Sequence, residues 1–86
     1  MFVFMTVFQE RSFSGAARIL KVGQPAVSGS IAKLRVHFKD VLFYRSGRDV
    51  IPTAKAERIA YILLPALKRI EAVLLSETID PSIYFY

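Results

Sequence analysis

Along this chain apolar residues recur at helical spacing in three successive segments, then change period. Val3, Phe4, Val7 and Phe8 share one face of a short helix predicted over Phe2 to Glu10. Ser12 or Ser14 offers a hydroxyl to cap a second short helix, about Ser14 to Lys21, whose Ala16, Ala17 and Leu20 form a narrow face that lets a neighbour approach closely. Val22-Gly23-Gln24-Pro25 reads as a turn into a third helix, because proline fits a first helical turn, where its missing N–H is not needed. Val27, Ile31, Leu34 and Phe38 recur at +4, +3 and +4 and make its buried stripe. The opposite face holds Gln24, Ser28, Gly29, Ala32, Lys33 and Arg35: small or polar at the leading end, basic further on. Such a helix can bring its backbone close to a large ligand.

From Leu42 the pattern becomes that of strands. Leu42-Phe43-Tyr44-Arg45 and Val50-Ile51-Pro52 flank Ser46-Gly47-Arg48-Asp49, which predicts a small hairpin with a basic tip. Thr53 is placed to cap a long helix to about Leu75. Along it Ala56, Ala60, Leu63, Leu67, Ile70 and Leu74 step by 4, 3, 4, 3 and 4, the spacing of a heptad seam. Pro65 removes the bond to the carbonyl of Tyr61 and is expected to bend this helix without ending it, because the seam continues past it. The stretch from Ser76, with Asp80-Pro81, reads as an extended tail.

Eighty-six residues make one small domain. With no cysteine there is no disulfide framework, thiolate metal site or cysteine nucleophile, so packing or a partner subunit must supply stability. Fifteen of the twenty-two residues from Ala54 to Leu75 are apolar, more than one small core can cover. The longest strongly apolar run, Ile59 to Leu67, has nine residues against the roughly 20 that cross a bilayer. Met1 to Phe8 lacks the basic leader and cleavage site of a signal peptide, and a cytosolic location is expected.

Charge sharpens the picture. The formal net charge is +5, and ten basic residues against three acidic ones fall between Arg11 and Arg58. The basic patch therefore lies on the short helices and hairpin, and an anionic polymer is the expected partner.

Three short helices followed by a basic hairpin describe a mainly α, winged helix-turn-helix fold, in which the third helix enters the DNA major groove and the wing touches flanking DNA. Ser12-Phe13-Ser14-Gly15-Ala16-Ala17-Arg18-Ile19-Leu20, Gln24-Pro25-Ala26-Val27-Ser28 with Ile31 and Leu34, and Leu42-Phe43-Tyr44-Arg45 with Arg48 resemble the DNA-binding domain of LysR-type transcriptional regulators. The resemblance runs from Val3 to about Asp80. Arg35 stands where that family commonly has glutamate, Lys39 where it has glycine, and Pro52-Thr53 with Ala56 where it has Leu-Thr and a later glycine. Together with Phe38, Asp40 and Gly47-Arg48, these features look like the subgroup of nodulation activators and aromatic-degradation activators. Gly23 and Gly29 depart from the usual polar residues. The resemblance implies a dimer held by antiparallel linker helices on a pseudo-palindromic promoter site. It also implies an effector domain after the linker, and the sequence stops where that domain would begin. The expected organisation is a winged helix-turn-helix over 1–53, a linker and dimerisation helix over 54–75, and a tail over 76–86.

The DNA-facing set is then Ser14, Gln24, Pro25, Ser28, Gly29, Lys33, Arg35 and Arg48. Gln24 and Ser28 contact bases or adjacent phosphates, a glutamine amide being able to bond adenine bidentately, or are a helix cap and a solvated serine. Pro25 and Ala26 pack on a thymine methyl or only start the helix. Arg48 enters a narrow minor groove or is a solvated turn residue. Ser14, Lys33 and Arg35 fit phosphates better than bases. Arg45 is expected to brace the wing through Asp40 or Asp49, and Lys39 and Lys55 to be solvated. His37 has no cysteine or second histidine with which to hold a metal. The serine-x-x-lysine spacing from Ser30 to Lys33 lacks the further motifs of an acyl-serine enzyme. No catalytic residue, metal or cofactor is expected, nor a small-molecule ligand. The dimerisation set is Ala56, Ala60, Leu63, Leu67, Ile70 and Leu74. Two rivals are a protein-interaction module built on the long helix and a basic membrane-surface protein. The second is disfavoured because the basic and the most apolar segments differ.

Overall fold

A computed structural model describes residues 2–75; the tail expected over 76–86, with its Asp80-Pro81, lies outside the described residues. Among these residues the order is α1 (Phe2–Glu10), α2 (Phe13–Leu20), α3 (Gln24–Phe38), β1 (Phe43–Ser46), β2 (Asp49–Pro52) and α4 (Ala54–Leu75). The elements are those the hydrophobic pattern predicts, with ends displaced by a residue or so.

Local backbone chemistry sets the corners. Ser12 adopts extended backbone and its Oγ accepts the Gly15 N–H at 2.9 Å, so of the two candidate serines it is Ser12 that caps α2. A Cβ on Gly15 would lie 3.2 Å from that oxygen, which accounts for a glycine in this tight corner. Helices α2 and α3 both end on a left-handed lysine: Lys21 at φ 58° and Lys39 at φ 53°. In each case the next N–H reaches back to a carbonyl five residues earlier, Val22 to Ala17 at 3.0 Å and Asp40 to Arg35 at 3.2 Å, which closes the last turn. Glycine would adopt that conformation freely, whereas a side chain there costs about 1–2 kcal/mol.

Strands β1 and β2 pair antiparallel, with Phe43 opposite Pro52 and Ser46 opposite Asp49. Gly47, at φ 62°, supplies the positive φ of the two-residue turn. The core gathers where this hairpin meets the helices. Phe43 is fully buried, 5.2 Å from the Phe4 ring and edge-on to Phe13 at 6.5 Å, so one aromatic joins α1, α2 and the wing. Phe4, Val7, Ala16, Val27, Ile31, Leu42 and, from β2, Val50 belong to the same buried cluster. Truncating Phe43 would remove a shared anchor worth about 3–5 kcal/mol.

Helix α4 runs unbroken through Pro65. Its first half belongs to the same core. Ala56 and Ala60, expected at a seam between two chains, are instead buried within one, and Leu63 and Leu67 pack half-buried against the same cluster. The reason is geometric: α4 starts directly from β2 and lies along α1, so its first inward positions meet the chain's own helices. Only Ile70 and Leu74 of the predicted seam are exposed. Among the described residues no helix is long and apolar enough to cross a membrane.

Candidate nucleic-acid interface

The turn between α2 and α3 leaves the leading end of α3 open. Gly23 is its N-cap, with no side-chain hydrogen bond, and a proline occupies the first turn. The Gln24 amide is therefore not engaged as a cap. Gln24, Pro25, Ala26, Ser28, Gly29 and Lys33 are all exposed, while Val27 and Ile31 on the other side are buried. A Cβ added at Gly29 would meet nothing within 4 Å, so among the described residues no neighbour requires a glycine there. Ser14 is exposed on the first turn of α2, its Oγ 3.2 Å from that of Ser12. Arg48 is exposed at the wing tip, beside Gly47. Thus α3's leading face, Ser14 and the wing tip lie on the solvent-facing surface of three adjoining elements.

Arg35 departs from its expected place. It is half-buried: Nε donates to the Val41 carbonyl at 2.8 Å and Nη2 to the Phe43 carbonyl at 3.1 Å. The guanidinium expected on a phosphate thus ties α3 to the first strand of the wing. This explains an arginine where the related pattern has glutamate, because only a donor can satisfy two carbonyls.

Arg45 also takes another route. Its guanidinium carbon lies 5.7 Å from the Phe13 ring centroid, so it braces the wing against α2 through an aromatic face rather than through Asp40 or Asp49. Phe13, Ser28, Ile31, Arg35 and Arg45 surround an open notch of about 210 Å³ between α2, α3 and β1. The notch carries two guanidiniums and one hydroxyl at the edge of α3's outward face. Lys55, expected to be solvated, donates from Nζ to the Phe38 carbonyl at 2.7 Å and closes the C-terminal end of α3. His37 is exposed and stands edge-on to Phe38. Lys39, as expected, is exposed.

Asp40 is the hub that sequence reasoning misassigned. Its Oδ2 accepts the Leu42 N–H at 2.9 Å and the Thr53 hydroxyl at 2.7 Å, and these two bonds hold its carboxyl below the ordinary value of 3.8. Thr53 in turn accepts the Ala56 N–H at 3.1 Å, capping α4. The bond from Asp40 to Leu42 is a local aspartate turn that an aspartate two residues before a wing can signal. The bond to Thr53 spans thirteen residues, and no local pattern foretells it.

Comparison with known proteins agrees with this geometry. Residues 1–57 match the family model described as bacterial regulatory helix-turn-helix protein, lysR family. Nodulation protein D 2 of Bradyrhizobium elkanii is 40% identical over 74 residues, covering 85% of this chain and 22% of that protein. The HTH-type transcriptional regulator LeuO of Escherichia coli is 39% identical over 80 residues, covering 93% of this chain and 26% of LeuO. The chain thus spans about a quarter of the length of these relatives. Among solved structures, a probable transcriptional regulator from Pseudomonas aeruginosa superposes with a TM-score of 0.81 at 32% identity, over 85% of this chain and 24% of that one. The BenM DNA-binding domain in complex with catB site 1 DNA superposes at 0.76 and 26% identity, over 85% of this chain and 82% of that one. The fold is therefore the winged helix-turn-helix, and the chain belongs to the LysR family of bacterial regulatory helix-turn-helix proteins.

Proposed function

We propose that this chain binds double-stranded DNA sequence-selectively in transcriptional regulation, as the DNA-binding part of a LysR-type regulator acting in the bacterial cytoplasm. One observation carries the reading: the leading face of α3 is exposed, uncapped by side chains and free of bulk at Gly29, beside a basic wing. The BenM domain, which shares this fold, is seen in complex with DNA. Gln24, Pro25, Ser28 and Gly29 would face base edges. Ser14 and Lys33 would meet phosphates, and Arg48 the flanking minor groove. Arg35 is assigned a bracing role instead, because two backbone carbonyls accept from its guanidinium. Pairing of two chains would use the exposed end of α4, at Ile70 and Leu74, with Leu63 and Leu67 contributing only what the core leaves uncovered.

The test is a set of salt titrations on the duplex that the chain selects from a randomised pool, a single-base variant of it, and an unrelated duplex. Gln24→Ala is expected to reduce discrimination at one base pair per half-site by ~1–3 kcal/mol and leave the unrelated duplex nearly unchanged. Equal losses on all three duplexes would show that α3 binds backbone only.

A further inference from the structure

The wing is attached at a strained point. Leu42, at φ 65°, is flanked by a hydrogen bond from the Phe43 N–H to the Val41 carbonyl at 2.7 Å, which makes a γ-turn with the disfavoured positive φ around a fully buried leucine. Such a conformation persists only where its surroundings over-determine it. Here they do. Asp40 holds the Leu42 N–H, and the Thr53 N–H holds the Leu42 carbonyl at 2.8 Å. The same Asp40 oxygen that holds Leu42 also takes the Thr53 hydroxyl. One carboxylate oxygen thus joins the point where the chain enters the wing to the point where it leaves for α4.

Beyond this root the wing's tip, Ser46 to Asp49, is exposed. Of β1 only Phe43 is buried, and Tyr44, Arg45 and Ser46 are exposed. Further ties are the burial of Val50 and Pro52 in β2, Arg35 Nη2 on the Phe43 carbonyl at 3.1 Å, the Val50 N–H to the Arg11 carbonyl at 3.3 Å and Arg45 on Phe13. Strands of four residues make a lever of ~13 Å. A tilt of ~10° at the root then moves Arg48 by ~2 Å, a third of the ~6 Å width of a minor groove.

We infer that the Asp40–Thr53 hydrogen bond is a positioning latch for DNA recognition: it sets the wing's angle from the first turn of α4, so that Arg48 reaches flanking DNA only while α4 is docked. This rests on the DNA-binding reading above and adds to it that Asp40 and Thr53, which lie outside the proposed DNA-facing set, determine the flank preference.

A double-mutant cycle between latch and wing tip tests it. The full chain and its variants are titrated against the pool-selected duplex with A·T-rich or G·C-rich flanks, at matched folded fraction by circular dichroism. Arg48→Ala is expected to lose about tenfold on A·T-rich flanks. Thr53→Val breaks both the latch and the α4 cap. Thr53→Asp keeps a capping oxygen but sets a second carboxylate against Asp40. Each is expected to reproduce the Arg48→Ala loss, with no further loss when combined with it, while Thr53→Ser retains wild-type flank preference. Losses that add in the double variants, or that are equal on both flanks, would overturn the latch. If Thr53→Val does not fold, Thr53→Asp and Thr53→Ser decide. A wild-type chain with no sequence preference overturns the DNA-binding reading and the latch with it, whereas selective binding with additive losses overturns the latch alone.

Discussion

Arg35→Ala separates a bracing residue from a phosphate contact. The guanidinium makes two bonds to carbonyls, one exposed at Val41 and one partly buried at Phe43. Hydrogen bonds from charged groups contribute ~1.5–3 kcal/mol where water is excluded, and less where a carbonyl can rehydrate. Truncation lets water reach Val41 at a cost of a few tenths of a kcal/mol. The Phe43 carbonyl stays partly shielded and loses about 1 kcal/mol. The arginine's methylene stem contributes the remainder through packing, for about 1.5–2 kcal/mol in all. At ~4–8 °C per kcal/mol for a domain of this size, the melting temperature should fall by about 6–16 °C.

The assay is thermal and urea unfolding at one fixed protein concentration, because self-association would make the midpoint concentration-dependent. Lys33→Ala is the control on the same helix. Its side chain is exposed, so stability should stay within ~0.5 kcal/mol while the slope of log K against log salt falls by ~1. Arg35→Ala should show the inverse, a loss of stability with the salt slope kept at matched folded fraction. Wild-type stability of Arg35→Ala together with a reduced salt slope would refute the bracing role and restore Arg35 to the DNA backbone.

Three further outcomes are expected. Lys39→Gly should stabilise the fold by ~0.5–1 kcal/mol in urea unfolding, because relief of the left-handed lysine exceeds the added freedom of the unfolded chain. Asp40 is held below its ordinary value of 3.8 by bonds from Thr53 and Leu42, so the unfolded state binds its proton first and stability falls as pH drops below that value. Asp40→Asn should be less stable near neutrality and show a shallower decline through that acid window in pH-dependent unfolding. Leu74→Asp should abolish self-association in sedimentation without lowering the monomer's stability, because Leu74 is exposed in the single chain.

The path of the backbone was legible because its signals are local. Proline at the head of α3, the serine before α2 and glycine in the wing turn each act within four residues. The outward face of α3 was legible for a related reason: Val27 and Ile31 face inward, and helical geometry then places Gln24, Ser28 and Lys33 outside. Charge alone did not distinguish the arginines. Arg35, Arg45 and Arg48 lie within fourteen residues of one another, yet one bonds carbonyls, one covers a ring and one is exposed at the turn. What separates them is which uncapped carbonyl or aromatic ring the folded chain brings near. Lys55 on the Phe38 carbonyl and Thr53 on Asp40 were hidden for the same reason.

The seam on α4 shows how a correct pattern can be assigned to the wrong partner. A repeat of 4 and 3 reports that one helical face is buried and leaves open what covers it. At Ala56 and Ala60 the side chains are small enough for the chain's own core to close over them. At Leu63 and Leu67 that cover is partial. Leu64, Leu67 and Leu74 then border, with Phe2, Met5 and Thr6 of α1, an open groove of about 300 Å³. Among the described residues, Ile70 and Leu74 remain exposed. One stripe therefore serves folding at its start, and the proposed pairing of two chains would use its end. A substitution walked along it should change from a loss of stability that is independent of concentration at Ala60 to one seen only in the association equilibrium at Leu74.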